Sequence, residues 1–547
     1  MRDFSKEIRA YALKNALEFG KADAERILPK LFNHGLDKKD IKLVIPKIDE
    51  IVEEVNSFDS IKMQRELHDL KGVAKEPEQK EGGLPELEGA KEGKVVTRMA
   101  PEPSKYMHIG HALVFMIQYL YAKKYNGRCI LRFDDTNPEK STREFYDSSK
   151  EDLAWLGIKW DEELIASNHM NKYFEFAEKL IREKNAFVCK CSQEEVKKLR
   201  EKVKECKCSK NSVDENLKEW KGMLNRRYEP GERTLRLRGD MQSKNGVMRD
   251  PVIFRISHAK HFLQKEKYAV WPMYDFESPI EDFLNGVTHV IRSKEFELRA
   301  ELHNYILKLL KLKGPIVREI GRYEIAGAET QGRVIREMIE SGKVAGWDDP
   351  RLMTIKSLRR RGFVPQMFQE LAQTVGLSKT GGHIDPNVLG AANRKIIDSA
   401  ANRYSFVKNA KELKILKKPK AGKIEIPVHP DKEGVRKIKV GKIFISGDDL
   451  KNLKNKEIRL LHLYNMKLGK KIEFTSEENK DIPKINWVSD GVETKILMPD
   501  GKWVSGLAER AIEELGEGEI IQFERFGFCR FDKIGKKGVY EFWFAHR

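Results

Sequence analysis

Residues 95–135 read VVTRMAPEPSKYMHIGHALVFMIQYLYAKKYNGRCILRFDD, and the order of elements in this stretch decides the fold around it. Val95 and Val96 belong to a short apolar strand, and the loop after it carries Pro101 and Pro103. His108, Ile109, Gly110 and His111 then open an apolar helix of about four turns over residues 109–125. Residues 129–133 form the next strand, which ends on Asp134 and Asp135. A helix start fed by a strand is a natural anion site, because unpaired backbone N–H groups and the positive dipole end meet there. Gly110 lets the backbone approach a ligand. His108 and His111 face one side of the first turn and can donate hydrogen bonds to phosphate oxygens while adding little fixed charge. By itself the tetrapeptide is equally compatible with two surface histidines. The Pro-x-Pro loop before it and LRFDDTNP after it favour a site. Ligands of parallel sheets bind beyond the carboxyl ends of strands, and residues 98–100 and 134–135 both lie at such ends. Phosphates and a small amino-bearing substrate can therefore meet in one crevice.

Outward from this unit, 547 residues are too many for one ordinary domain. A net charge of +18 points to a polyanionic partner, nucleic acid first, with a Lys-rich solvated surface as the plainer reading. No apolar run reaches bilayer length and the first residues show no signal-peptide pattern, so a soluble, cytoplasmic protein with no membrane role is expected. Six cysteines in so long a chain argue against a disulfide scaffold. Cys189-x-Cys191 and Cys206-x-Cys208 bracket a charged helix, and four thiolates in two close pairs suit a closed, structural zinc site; unliganded reduced thiols are the other reading. Cys129 and Cys529 stand alone in apolar strands and read as core. Residues 1–73 show helical spacing in Phe4, Ile8, Tyr11 and Ala12 and no catalytic pattern. Residues 74–94, rich in Lys, Glu, Gly and Pro, read as a linker. Arg233 to Arg238 alternates as a strand whose arginines serve phosphate contacts or a solvated face. From about residue 422 short alternating strands appear, with a turn at Pro499-Asp500-Gly501, as in antiparallel barrels. Phe526, Phe528, Trp543 and Phe544 are candidate base-stacking platforms there, with core packing the preferred reading.

TRMAPEPSKYMHIGHA followed by LRFDDTNP resembles the first catalytic motif of class I glutamyl- and glutaminyl-tRNA synthetases of archaeal or eukaryotic type. The resemblance continues through KEDLAWLGIKWDE, VWPMYDFESPIEDFLNGVTHVIRSKEF, GWDDPRLMTIKSLRRRG and IIQFERFGFCRFD, and so covers most of the chain from residue 95 onward. It implies a multidomain chain. A helical N-terminal appendage spans 1–73 and a linker 74–94. An α/β Rossmann-type catalytic domain in two halves, 95–188 and 269–320, is split by an acceptor-binding insertion at 189–268. A second-motif loop and helical connective region follow at 321–410, and all-β anticodon-binding barrels at 411–547.

The implied chemistry is glutamate–tRNA ligation with ATP and Mg²⁺, through glutamyl-adenylate. Residue by residue, Pro101, Pro103, His108, Ile109, Gly110 and His111 form the ATP motif, with His108 and His111 stabilising the phosphorus oxyanion. Arg98, Ala100, Asp134, Tyr274, Ser278 and Arg292 would bind glutamate. Arg292 matches the position that separates glutamate from glutamine, and a buried guanidinium suits a carboxylate and is left unsatisfied by an amide. Asp348, Asp349, Arg359, Arg360 and Arg361 are tRNA-contact candidates, the arginines equally a solvated helix end. The expected partners are tRNA(Glu), L-glutamate and ATP, with charging of tRNA(Gln) left open and a monomer expected. Two departures stand out. The second class I motif should end at Arg333, yet residues 321–333 contain no lysine, so Arg333 or Arg336 is expected to supply the cation. Lys105 stands where relatives usually have glycine, and either reaches a phosphate or points to water. The rival readings are a glutaminyl enzyme and a catalytically inactive tRNA-binding paralogue.

Overall fold

The computed structural model describes residues 3–70, 72–74, 84–325, 329, 331–416 and 422–547. Residues 75–83 of the expected linker, and residues 326–328 and 330 of the expected second motif, lie outside the described residues. The chain divides into two compact units, Met1–Gly83 and Leu84–Arg547. The first is helical, with helices Ser5–Phe19, Ala24–Leu31, Ile41–Asn56 and Ser60–Asp69. It has its own core, in which Ile8, Leu13, Leu31 and Val55 are fully buried. Among the described residues no helix is long and apolar enough to cross a membrane.

The second unit is built outward from the quoted stretch. Strands Val96–Met99, Arg128–Phe133 and Glu162–Ile165 form a parallel sheet in that order. The helix Ile109–Lys124 crosses between the first two and buries Ile109, Leu113, Met116 and Ile117. It is apolar nearly all round because it is covered on both sides, by the strands and by helix Pro365–Val375. A second parallel pair, His289–Ser293 with Ile316–Ile320, lies beside Val96–Met99. The join is made by Thr288, whose N–H donates to the Val96 carbonyl at 2.9 Å and whose Oγ1 accepts from the Val96 N–H at 2.8 Å. The carboxyl ends of both pairs therefore open on one cleft. Between them in sequence comes an antiparallel sheet, Ala186–Cys189, Thr234–Leu237, Val252–Ile256 and Val270–Pro272. It packs on a core that contains Trp220, Phe254 and Trp271.

The β region begins at Arg403–Tyr404, earlier than the change of sequence character at about residue 422. Its seven-stranded sheet runs Arg403–Tyr404, Ile520–Phe523, Gly527–Ile534, Tyr540–His546, Val492–Leu497, Trp503–Ala508, Phe406–Lys408. The first and last strands are neighbours in sequence, so the sheet nearly closes on itself. A five-stranded sheet, a three-stranded sheet and the hairpin Lys423–Pro427 with Val435–Lys439 complete the region. Phe528, Trp543 and Phe544 are buried, as core packing requires.

Helix Ile355–Arg361 packs on this region, and its arginines find partners that the sequence does not show. Arg360 grips Asp532 with two parallel hydrogen bonds of 2.9 and 2.8 Å, donates to Asp348 at 2.6 Å and stacks its guanidinium over Trp543. Arg361 is buried and donates to the carbonyls of Phe544 and Ala545. Asp349 is buried too, pairing with Arg351 and accepting from the Ala345 N–H. Four of the five tRNA-contact candidates thus have partners within the protein, Asp349 and Arg361 buried and Asp348 and Arg360 partly exposed. The Arg359 side chain makes no hydrogen bond or ion pair to a described residue.

Candidate active site

His108 is the N-cap of helix Ile109–Lys124, and it replaces the usual Ser or Asp there with a ring. Its Nδ1 accepts from the Gly110 N–H at 3.1 Å, and the His111 Nδ1 accepts from the His108 N–H at 3.3 Å. Backbone N–H groups can only donate. Both Nδ1 atoms are therefore unprotonated, and in the neutral rings the proton sits on Nε2. Burial, reinforced by Lys105 and Arg322, holds the His108 imidazole down at about 3, and burial beside His108 and Lys105 holds His111 well below its ordinary value. Two neutral Nε2–H donors are thereby fixed at a helix N-terminus. Gly110 is required for this: a Cβ there would come within 2.9 Å of His108 Cε1. The loop is held from behind, where the Ile109 N–H donates to Met353 and the Ile355 N–H to Met107.

A buried charge network lies deeper in the cleft. Arg98 Nε donates to Asp282 at 3.1 Å, and Arg132 donates to Asp134 at 2.7 Å and to Asp282 at 2.7 Å. Burial raises the Asp134 carboxyl despite Arg132. At Asp282 burial is outweighed by Arg98 and Arg132, which together hold it below the usual range. Glu277, fully buried beside Asp134, is pushed well up, with one carboxyl oxygen unpartnered among the described residues. Arg292 ends the strand His289–Ser293. Its Nη1 meets His303 Nδ1 at 3.3 Å, and His303 Nε2 meets Asp275 at 3.2 Å. The guanidinium must donate, so the His303 proton lies on Nε2 and points at Asp275. Arg292 Nη2 is 3.5 Å from a Glu319 oxygen, an attraction without hydrogen-bond geometry. Nε and Nη2 are both buried without a hydrogen-bond partner among the described residues.

These groups share one cleft of about 790 Å³, lined by Arg98, Ala100, Pro101, His108, Gly110, His111, Asp134, Tyr274 and Arg292. The cleft also takes in Lys105, noted above as a departure from the family pattern, and Glu277, Arg322 and Gln331, which were not singled out as site residues. Pro103 and Ile109 pack behind it, and Ser278 is buried against Arg132 instead of lining it. Arg333 departs most from expectation. Its side chain is 88% exposed and pairs with Glu337 one turn along helix Gly332–Glu340, so it does not line the cleft. Arg132 was not recognised, although an arginine inside the apolar strand CILRF was the available signal.

Away from the cleft, the Sγ atoms of Cys189, Cys191, Cys206 and Cys208 lie within 4.8 Å of one another. The Cys189–Cys206 and Cys191–Cys208 pairs are 3.7 and 3.9 Å apart. A tetrahedral ion with bonds of about 2.3 Å needs sulfurs ~3.8 Å apart, so the donor set fits zinc. Arg236, expected on a solvated or phosphate-facing strand, is instead buried and aims Nη1 at Cys206 and Cys189, at 3.3 and 3.7 Å. Its positive charge favours the thiolate form of both sulfurs and offsets their mutual repulsion.

The paired donors at the helix start, the charged cleft beyond parallel strands and the β region together define a class I aminoacyl-tRNA synthetase. Residues 94–399 match the family described as tRNA synthetases class I (E and Q), catalytic domain, and residues 401–487 and 470–532 match its two anti-codon binding domains. The chain is 41% identical to the glutamate–tRNA ligase of Nitrosopumilus maritimus, over 96% of this chain and 97% of that one. It is 38% identical to the glutamate–tRNA ligase of Pyrococcus furiosus, over 98% of each chain. It is 36% identical to that of Methanocaldococcus jannaschii, over 99% of this chain and 100% of that one. The chain belongs to the class I tRNA synthetases for glutamate and glutamine.

Proposed function

We propose that the protein ligates L-glutamate to tRNA(Glu) in two steps. An oxygen of the glutamate α-carboxylate attacks the α-phosphorus of ATP, the bond to the β-phosphate oxygen breaks, and pyrophosphate leaves. A ribose hydroxyl of the terminal tRNA adenosine then attacks the acyl carbon, loses its proton, and AMP departs. His108 and His111 donate Nε2–H to the oxygens on the α-phosphorus as charge builds there. Mg²⁺, brought with ATP, neutralises phosphate charge. Arg98, Asp134 and Tyr274 line the side of the cleft that takes the amino acid.

The observation that carries glutamate over glutamine is a guanidinium in the cleft wall, Arg292, whose Nε and Nη2 make no hydrogen bond among the described residues. A carboxylate satisfies both donors, whereas an amide offers one oxygen and opposes the second N–H with its own. The names of the relatives agree. We read 95–188 and 269–320 as one Rossmann-type domain, 189–268 as the insertion that receives the acceptor end, and the β region as the part that grips the anticodon.

The test is aminoacylation of purified tRNA(Glu) and tRNA(Gln) with each amino acid. Glutamate is expected to be charged at least 10³-fold more efficiently than glutamine. Equal use of glutamine would favour the glutaminyl reading. No pyrophosphate exchange by folded protein with tRNA present would favour an inactive tRNA-binding protein.

The four cysteines are proposed to hold a structural zinc ion. Purified protein should carry about one zinc per chain by elemental analysis. Cys208→Ser should lose it and melt several degrees lower. Metal-free wild-type protein with an unchanged melting temperature would reduce the cluster to free thiols.

A further inference from the structure

The cleft holds a cation that the reading above leaves without a task. Lys105 lies on the loop between the strand Val96–Met99 and His108, and it lines the same cleft as both histidines. Its ammonium makes no hydrogen bond or ion pair to any described residue, while Arg322 beside it is paired with Glu295 at 3.1 Å. The lysine stem is packed against Gly332, the first residue of helix Gly332–Glu340. A Cβ on Gly332 would come within 3.0 Å of Lys105 Cδ and 3.1 Å of its Cβ. A glycine at that point therefore makes room for the lysine and directs it along the cleft. Burial lowers the ammonium from its ordinary value, which marks partial withdrawal from water; Glu102 and Glu295 act against this, and Arg322 and Arg336 add to it.

A long, half-buried ammonium beside two imidazole donors and a helix N-terminus is matched to a polyphosphate. A carboxylate would have been met by a planar fork such as Arg292. Of the two cations expected from the second motif, Arg333 faces solvent and Arg336 donates to the Gly332 carbonyl at 3.2 Å, and neither lines the cleft. We infer that Lys105 binds the β- and γ-phosphates of ATP and stabilises the pyrophosphate as it leaves, in the role expected of Arg333. This rests on the adenylate-forming reading above.

The variants are Lys105→Met, which keeps the stem, and Lys105→Arg, which keeps the charge. With tRNA and glutamate present, Lys105→Met should reduce ATP–pyrophosphate exchange about 10²-fold and raise the KM for ATP, with the KM for glutamate within about twofold of wild type. Lys105→Arg should recover at least a tenth of the wild-type rate. Calorimetry with inorganic tripolyphosphate should show about tenfold weaker binding to the Met variant, a readout independent of turnover. If Lys105→Met keeps both the exchange rate and the tripolyphosphate affinity, or if Arg333→Ala causes the loss instead, the assignment is overturned. A wild-type protein with no exchange but intact tripolyphosphate binding would overturn the ligase reading and leave the Lys105 site standing.

Discussion

Arg292→Gln is expected to lower kcat/KM for glutamate about 10³-fold and to change that for glutamine by less than about tenfold. The magnitude follows from what surrounds the guanidinium. Arg292 is 6% exposed, and His303 holds one of its nitrogens. His303 is itself fixed by Asp275, which also pairs with Arg299. This leaves Nε and Nη2 buried without a hydrogen bond among the described residues, Nη2 being 3.5 Å from Glu319. Each such donor costs roughly 1–3 kcal/mol until it is met, and a bidentate carboxylate meets both at once. Losing that pair amounts to about 4 kcal/mol, which is the predicted factor. The variant also removes a buried, poorly satisfied charge from the free enzyme, so its melting temperature should hold or rise slightly. That control separates lost recognition from lost folding. An equal loss with both amino acids would mean that Arg292 supports the cleft without reading the side chain.

What the sequence made legible was local. The strand–loop–helix–strand of residues 95–135 and the His-x-x-His spacing lie within reach of periodicity and capping rules, and the observed helix Ile109–Lys124 ends one residue short of the expected 125. What it hid was pairing between distant residues. Arg132 finds Asp282 across 150 positions, and Arg360 finds Asp532 across 172. A run such as Arg359-Arg360-Arg361 therefore reads equally as a nucleic-acid contact or a solvated helix end, and the acidic and carbonyl partners of Arg360 and Arg361 appear only in the fold. Arg236 misled in another way. Alternation in Thr234–Leu237 implies a covered and a solvated face, but here the second face is closed by the cysteine cluster. Tautomers were equally out of reach, because they depend on which backbone N–H each ring caps.

Those tautomers give the second large effect. His111→Asn should reduce adenylate formation about 10²–10³-fold, His108→Asn should do the same, and the double variant should fall short of the product of the two. Each ring contributes one donor, and removal of one such donor costs ~2.7–4 kcal/mol in comparable sites. The shortfall follows from geometry. The His111 ring accepts from the His108 backbone N–H and lies against the His108 ring, with centroids 3.9 Å apart, so replacing one ring disturbs the placement of the other. Glutamine should be tolerated better than asparagine, because its amide nitrogen reaches the position of Nε2, where the proton is needed, and the asparagine nitrogen reaches that of Nδ1. The pH dependence gives a further check. His108 is depressed to about 3 in the folded protein, against an ordinary value near 6.5. Its neutral form is therefore favoured by folding; that stability is fully present above about pH 6.5 and is lost as pH falls toward 3. Adenylate formation by the wild type should accordingly show no acid limb near 6.5 from these rings. A loss of activity as pH rises through about 6.5 that disappears in His108→Gln would mean that the imidazoles work as cations, and the donor assignment would fall.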